Sequence, residues 1–320
     1  MKGLIFSEGN GYGHAARDEI IAESFGFQMM TYGKGAEYCR QRGTDFIELP
    51  SPYEIKVDKR GVNLVSDPSD IIGFMKPDVF ASINSHFRKA DFIIVDGTPL
   101  GLALAMLARR KAVYITNDIT ASVGMQGVIE KRVAQSTQNT LLRSAKAVIV
   151  PDFPPPLTIT MANLRNPPKM EFVGPLVEET KQVKHGKKYL VSGSLDGEIR
   201  SALGDSAIYG SDIGNMRPYY RDCELVLCHG GHTTIMESLS FGKPALCIVD
   251  KNYSERCNNA SKLAELGVGI HLDKDLLDKK SLEASIAFAK TLDKERLELY
   301  KRTADEMNPL ADLEAIFKKI

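Results

Sequence analysis

The chain has 320 residues, 43% hydrophobic and 26% charged, with 41 basic side chains balanced by 41 acidic ones. A neutral balance gives no global field for nucleic acid, and no apolar run approaches the roughly 20 residues of a membrane span, so neither function is expected. Cysteines at 39, 223, 228, 247 and 257 follow no disulfide spacing, which points to free thiols in a reducing compartment.

The opening "MKGLIFSEGN" turns polar too soon for a secretory leader, so a cytoplasmic protein is expected, with contact to a membrane surface left open. The length suits two domains of roughly 150 residues each. Apolar runs at 3–6, 27–32, 45–49, 91–96, 112–116 and 147–151 read as buried parallel strands. Amphipathic stretches between them, such as "HAARDEIIAESF" and "PLGLALAMLARR", read as helices. Alternation of this kind predicts a parallel sheet covered on both faces.

Between 151 and 187 lie seven prolines and the polar "VEETKQVKHGKK", a linker pattern with a hinge expected near 176–187. A second βα series follows through "KYLVSGS", "SAIYGS", "ELVLCHGG", "PALCIVD" and "GVGIHL", and the tail from about 280 reads as helices. The expectation is an α/β protein of two doubly wound, Rossmann-like domains, 1–175 and 176–320, with the last helix free to pack back on the first. Ligands in such sheets bind beyond the carboxyl ends of the strands, which predicts a cleft between two facing domains.

The first strand runs straight into "SEGNGYGHAARDEI" at 7–20. The spacing Gly11-x-Gly13-x-x-Ala16 fits a dinucleotide loop, but that loop needs a carboxylate about 20 residues on, at the end of the second strand. Here that strand ends in Tyr32, Gly33 and Lys34. The acid is missing, and the dinucleotide reading falls with it.

A second motif occupies 222–270. Strand "LVLC" ends in His229-Gly230-Gly231, and a helix is expected from His232. Its first turn, with Thr233 and Thr234, favours an anion, and Glu237 shares their face one turn further in. That arrangement suits a diphosphate joined to a ribose, although helix capping by the threonines and a solvated Glu237 would explain the same residues. Cys223, Cys228, His229 and His232 do not have a zinc spacing, and no metal is expected.

The string "CHGGHTTIMESLSFGKPALCIVD…NNA…GVGI" resembles the nucleotide-sugar signature of GT-B glycosyltransferases. These include the UDP-glycosyltransferases and the bacterial enzyme that adds N-acetylglucosamine to lipid-linked muramyl peptide. "DIGNMRPYYRDCELVL" is similar to their base-binding segment, "LVSGSLDG" to their phosphate loop, and "GYGHAAR" and "ADFIIVDGTPLG" to their opening loop and aspartate-bearing strand. Resemblance is weak over 50–90 and 120–170.

The resemblance implies an inverting, metal-independent transfer from a UDP-sugar to the hydroxyl of a small-molecule, glycan or lipid-linked acceptor. The nucleotide-sugar is a co-substrate, and no cofactor is expected. His14 would be the general base and Asp96 its orienting acid, with loss of Asp96 expected to cost less than loss of His14. Gly11 and Gly13 would let donor and acceptor approach. The base would lie near Asn215 and Met216, the ribose at Glu237, and the diphosphate at Gly193, Ser194, His229, Gly230, Gly231, His232, Thr233 and Thr234, with His229 helping to neutralise it. Many family members carry an Asp-Gln pair before the Asn-Ala that includes Asn259, and it binds the sugar. Here Glu255 and Arg256 stand in its place, so the usual hexose preference does not carry over. Two alternatives remain: a UDP-sugar hydrolase, whose G-x-G-H-x-x-R string resembles Gly11 to Arg17, and a binding regulator without turnover.

Overall fold

The computed structural model describes all residues except 52–53, 59–60, 66–75, 120–135, 137, 165–169, 179, 193–194 and 214. The chain divides into two compact units. One comprises Met1–Pro151, Asn163–Val173 and Pro309–Ile320; the other comprises Asp152–Ala162 and Gly174–Asn308.

In the first unit the strands are β1 (Gly3–Ser7), β2 (Gln28–Thr31), β3 (Phe46–Glu48), β4 (Glu54–Asp58), β5 (Gly61–Val65), β6 (Phe92–Asp96), β7 (Lys111–Ile115), β8 (Val148–Val150) and β9 (Met170–Phe172). Among the described residues seven of these form one parallel sheet, in the order β3-β2-β1-β6-β7-β8-β9. β4 and β5 pair antiparallel, in a stretch where the sequence suggested no strands. Helices α1 (Tyr12–Phe25), α2 (Gly33–Arg42), α3 (Pro77–Lys89) and α4 (Pro99–Leu107) connect them, the last two opened by a proline at their first position. "LIF", "FIIV" and "VYI" are buried throughout, as strands covered on both faces must be. One face packs Leu4, Phe6, Ile93 and Val95 against Phe87, Leu102 and Ala105. The C-terminal helix Pro309–Lys318 joins this unit through Phe317, whose ring lies 5.4 Å from Phe25 and 5.1 Å from Phe92.

The second unit holds β10 (Tyr189–Val191), β11 (Ala207–Tyr209), β12 (Leu225–Cys228), β13 (Ala245–Val249) and β14 (Gly269–Asp273), all parallel in the order β11-β10-β12-β13-β14. Its helices include α5 (Asp196–Leu203), α6 (His232–Ser240), α7 (Ser254–Glu265), α8 (Lys279–Ala289) and α9 (Lys294–Glu306). Alternate residues serve opposite faces: Leu225, Leu227, Leu246 and Ile248 meet α8, whereas Cys228, Ala245, Cys247 and Val249 meet α6, α7 and Tyr300. Strand order reverses beside β1 in one unit and between β10 and β12 in the other, and ligands in open α/β sheets lie at such points. Among the described residues no helix is long and apolar enough to cross a membrane.

The proline-rich stretch is not the linker its composition suggests. Asp152 is buried and accepts from the backbone N–H of Phe153 at 2.7 Å and of Thr160 at 2.9 Å, and from the Thr160 hydroxyl at 2.8 Å. Phe153 meets Tyr300 edge-on at 4.8 Å. One satisfied carboxylate and one aromatic anchor tie 152–160 to the second unit, with Pro155 and Pro156 left exposed. The expected hinge segment is likewise tied down. Val183 N–H donates to Pro218 O at 2.8 Å, and the N–H groups of His185 and Gly186 donate to Asp222 at 2.7 and 2.9 Å.

Candidate active site

In the first unit the site grows from the carboxyl ends of β1 and β6, where Ser7 and Asp96 lie side by side in register. Gly9 is a packing glycine: a Cβ there would sit 2.1 Å from the Tyr32 carbonyl oxygen. A Cβ at Gly11 would meet nothing within 4 Å, so this is the open position of the loop, and Gly11 caps α1 with no side-chain bond. Gly13 follows in the first turn of α1.

His14 projects from that turn with 27% of its side chain exposed, and its Nδ1 lies 2.9 Å from Oδ1 of fully buried Asp96. A carboxylate at Nδ1 fixes the tautomer with its proton there and leaves Nε2 as a free base. Sequence reasoning placed this pair; it missed the residue that completes it. Arg17, one turn further along α1 and buried, donates through Nε to Asp96 Oδ2 at 2.5 Å and through Nη2 to Oδ1. Its Nη1 donates to Asn117 Oδ1 at 3.0 Å. Nη2 also lies 3.0 Å from His14 Nδ1, but two donors cannot bond each other, so with Nδ1 protonated this is contact only. Burial pushes the Asp96 carboxyl up, but the Arg17 guanidinium and then His14 outweigh it and hold it far below the usual carboxylate range. Neighbouring Asp18 is fully buried, and burial followed by the Asp96 charge raises its carboxyl well above the usual range. Glu8, also unforeseen, anchors the loop by accepting from Tyr32 OH at 2.8 Å and from Asn10 N–H at 3.1 Å.

Gly97 makes room for the histidine. Its φ is +77°, and a Cβ on it would stand 2.4 Å from His14 Cε1. Gly97→Ala is expected to destabilise the protein by about 1–3 kcal/mol and to displace the ring. Urea unfolding beside a turnover assay checks this, and an unchanged variant on both counts contradicts it.

In the second unit β12 delivers His229, Gly230 and Gly231 to the N-terminus of α6. Gly230 turns the chain at φ +78°, and a Cβ there would strike the Arg256 carbonyl oxygen at 2.9 Å. Gly231 caps α6 with no side-chain bond, and a Cβ on it would meet nothing within 4 Å. An open helix N-terminus of this kind favours an anion. Thr233 and Thr234 are half-buried in its first turn, the Thr234 hydroxyl 3.5 Å from that of Ser192. Asn215 accepts the Arg217 N–H at 3.1 Å, and Met216 packs partly against the apolar cluster around Tyr220. Gly193 and Ser194 lie outside the described residues.

Four of the expected donor residues make contacts within the protein. His229 is pushed down to about 4 by burial, then by the charges of Arg256 and Lys274. The His232 ring is buried, with Nε2 3.5 Å from Asp152 Oδ2. Asn259 is buried and donates to the Gly230 carbonyl at 3.1 Å, which ties it to the turn. Glu237, expected to stand open to a ribose, is 7% exposed and accepts from Arg217 Nε at 3.1 Å and from Tyr220 OH at 2.8 Å. Arg256 lays its guanidinium 4.3 Å from the Tyr253 ring centre, beside half-buried Glu255.

Two doubly wound units, each with its open loop at a strand-order reversal, define the GT-B class. Residues 196–315 match the model of the glycosyltransferase family 28 C-terminal domain. An uncharacterized glycosyltransferase of Methanosarcina mazei is 27% identical over 323 residues, covering 84% of this chain and 85% of its own length. Among solved structures, spinosyn forosaminyltransferase SpnP superposes with a TM-score of 0.68 at 12% identity over 99% of this chain and 98% of its own. MurG of Acinetobacter baumannii gives 0.61 at 15% identity, with both chains covered fully (100%). The protein has the GT-B fold and is a glycosyltransferase.

Proposed function

We propose that the protein transfers a sugar from a UDP-sugar to an acceptor hydroxyl, by direct displacement with inversion and without a metal ion. The observation that carries this reading is the imidazole of His14, held at Nδ1 by a buried carboxylate with Nε2 left as base. Nε2 takes the hydroxyl proton as the acceptor oxygen bonds the anomeric carbon. The bond from that carbon to the diphosphate breaks, and its electron pair leaves with the diphosphate. Asp96 balances the imidazolium that forms. The α6 N-terminus and the fixed charge of Arg256 meet the leaving group. Support for a nucleoside diphosphate comes from the open cap at Gly231, and a structural neighbour, spinosyn rhamnosyltransferase SpnG, is known in complex with thymidine diphosphate.

A thermal-shift screen of UDP-, GDP- and TDP-sugars tests the donor. A ligand at 100 times its dissociation constant stabilises by about 2.7 kcal/mol, and the largest shift is expected from a UDP-sugar. No shift with any UDP-sugar, against a clear one with another base, contradicts the assignment. A second reading rests on Arg17, which completes a G-x-G-H-x-x-R string resembling that of the hydrolases and is here built into the site. Sugar released into water with no acceptor present distinguishes that reaction from transfer.

A further inference from the structure

Glu237 sits one turn inside α6, and its carboxylate is held from two sides. Arg217 Nε bonds Oε1, while Nη1 of the same guanidinium donates to Glu178 Oε2 at 2.5 Å. Tyr220 OH bonds Oε2 from a fully buried ring that stacks on Phe241 at 5.7 Å and 7°. Each oxygen thus takes one internal donor and keeps a second lone pair. Arg217 lies between two carboxylates, so it fixes Glu237 without cancelling its charge.

We infer that Arg217 and Tyr220 are positioning residues that set the preference of the donor site for ribose over deoxyribose. They act by presenting both Glu237 oxygens at once to the two hydroxyls of a ribose. The inference rests on the UDP-sugar reading above. A carboxylate pinned at both oxygens offers two acceptor sites at fixed separation, which matches a vicinal diol. One that rotates freely accepts a single hydroxyl equally well, and deoxyribose then suffices.

Calorimetry with UDP and with 2′-deoxy-UDP tests this on the wild type, Tyr220→Phe and Arg217→Met. A hydrogen bond to a charged acceptor is worth roughly 10–100-fold in affinity, so the wild type is expected to prefer UDP by about that factor. Tyr220→Phe keeps the ring in place, and its preference is expected to shrink several-fold. Arg217→Met should bring the ratio close to one. A role in folding alone would weaken both nucleotides together and leave the ratio untouched. Folded variants that keep the wild-type ratio overturn the inference and spare the donor assignment. Equal binding of both nucleotides by the wild type overturns it too, and failure of the wild type to bind UDP removes the donor assignment and this inference together. Should Arg217→Met not fold, the Tyr220→Phe ratio decides.

Discussion

Arg17→Met is expected to destabilise the protein by about 3–5 kcal/mol at neutral pH, because it strands the buried Asp96 carboxylate. The guanidinium supplies two of the donors on that carboxylate, and His14, partly exposed and neutral when deprotonated, does not replace them. The pH dependence follows from the sign of the Asp96 shift. A carboxyl held below its ordinary value contributes stability that is present above the unfolded value near ~3.9 and is lost as pH falls through the folded one. With Arg17 gone, burial dominates and the Asp96 carboxyl rises instead. The deficit against wild type should therefore be larger at pH 8 than at pH 5, where the variant can neutralise the group by protonation. Urea titrations at the two pH values measure it. A variant as stable as wild type, or a deficit that grows toward acid, contradicts the clamp.

His14→Ala is expected to lower turnover by roughly 10²–10⁴ while leaving donor affinity nearly unchanged. The ring acts on the acceptor proton, and the groups proposed for the nucleotide belong to the other unit of the chain. Asp96→Asn, expected from the sequence to cost less turnover than loss of His14, is expected from the structure to cost stability as well. It removes the anion that both His14 Nδ1 and Arg17 share, and it leaves a buried guanidinium with an amide in place of its counter-charge. Loss of turnover comes with loss of stability in that variant, whereas His14→Ala, at a partly exposed position, is expected to keep its unfolding midpoint.

What the sequence made legible was local. The apolar runs marked the strands, and Gly11, Gly13 and His14 fell where β1 gives way to α1 because glycine spacing and strand ends are read within a few residues. The same holds for Gly230 and Gly231 at the start of α6. What stayed hidden depends on pairings far apart along the chain. Arg17 stood out only as the end of a G-x-G-H-x-x-R string; its bond to a carboxylate 79 residues away was not legible. Asp152 read as part of a linker because the N–H groups it accepts lie beyond a run of prolines that composition alone marks as open chain. The burial of Asn259 at the turn and of His232 beside Asp152 was equally out of reach, because their partners lie on other elements. The charge of His229 was out of reach as well, since it is set by burial and by Arg256 and Lys274 on other elements.

In the proposed reaction a nucleotide-sugar is bound and its anomeric bond broken with His14 as base and without a metal. The most direct measurement is nucleoside diphosphate release from the UDP-sugar that gives the largest thermal shift. It is made in EDTA, with wild type and His14→Ala side by side at equal donor occupancy. UDP is expected to appear in EDTA at the same rate as without it, and the variant is expected to release it roughly 10²–10⁴ times more slowly. Release that stops in EDTA, or a variant that matches wild type, would contradict the proposed reaction.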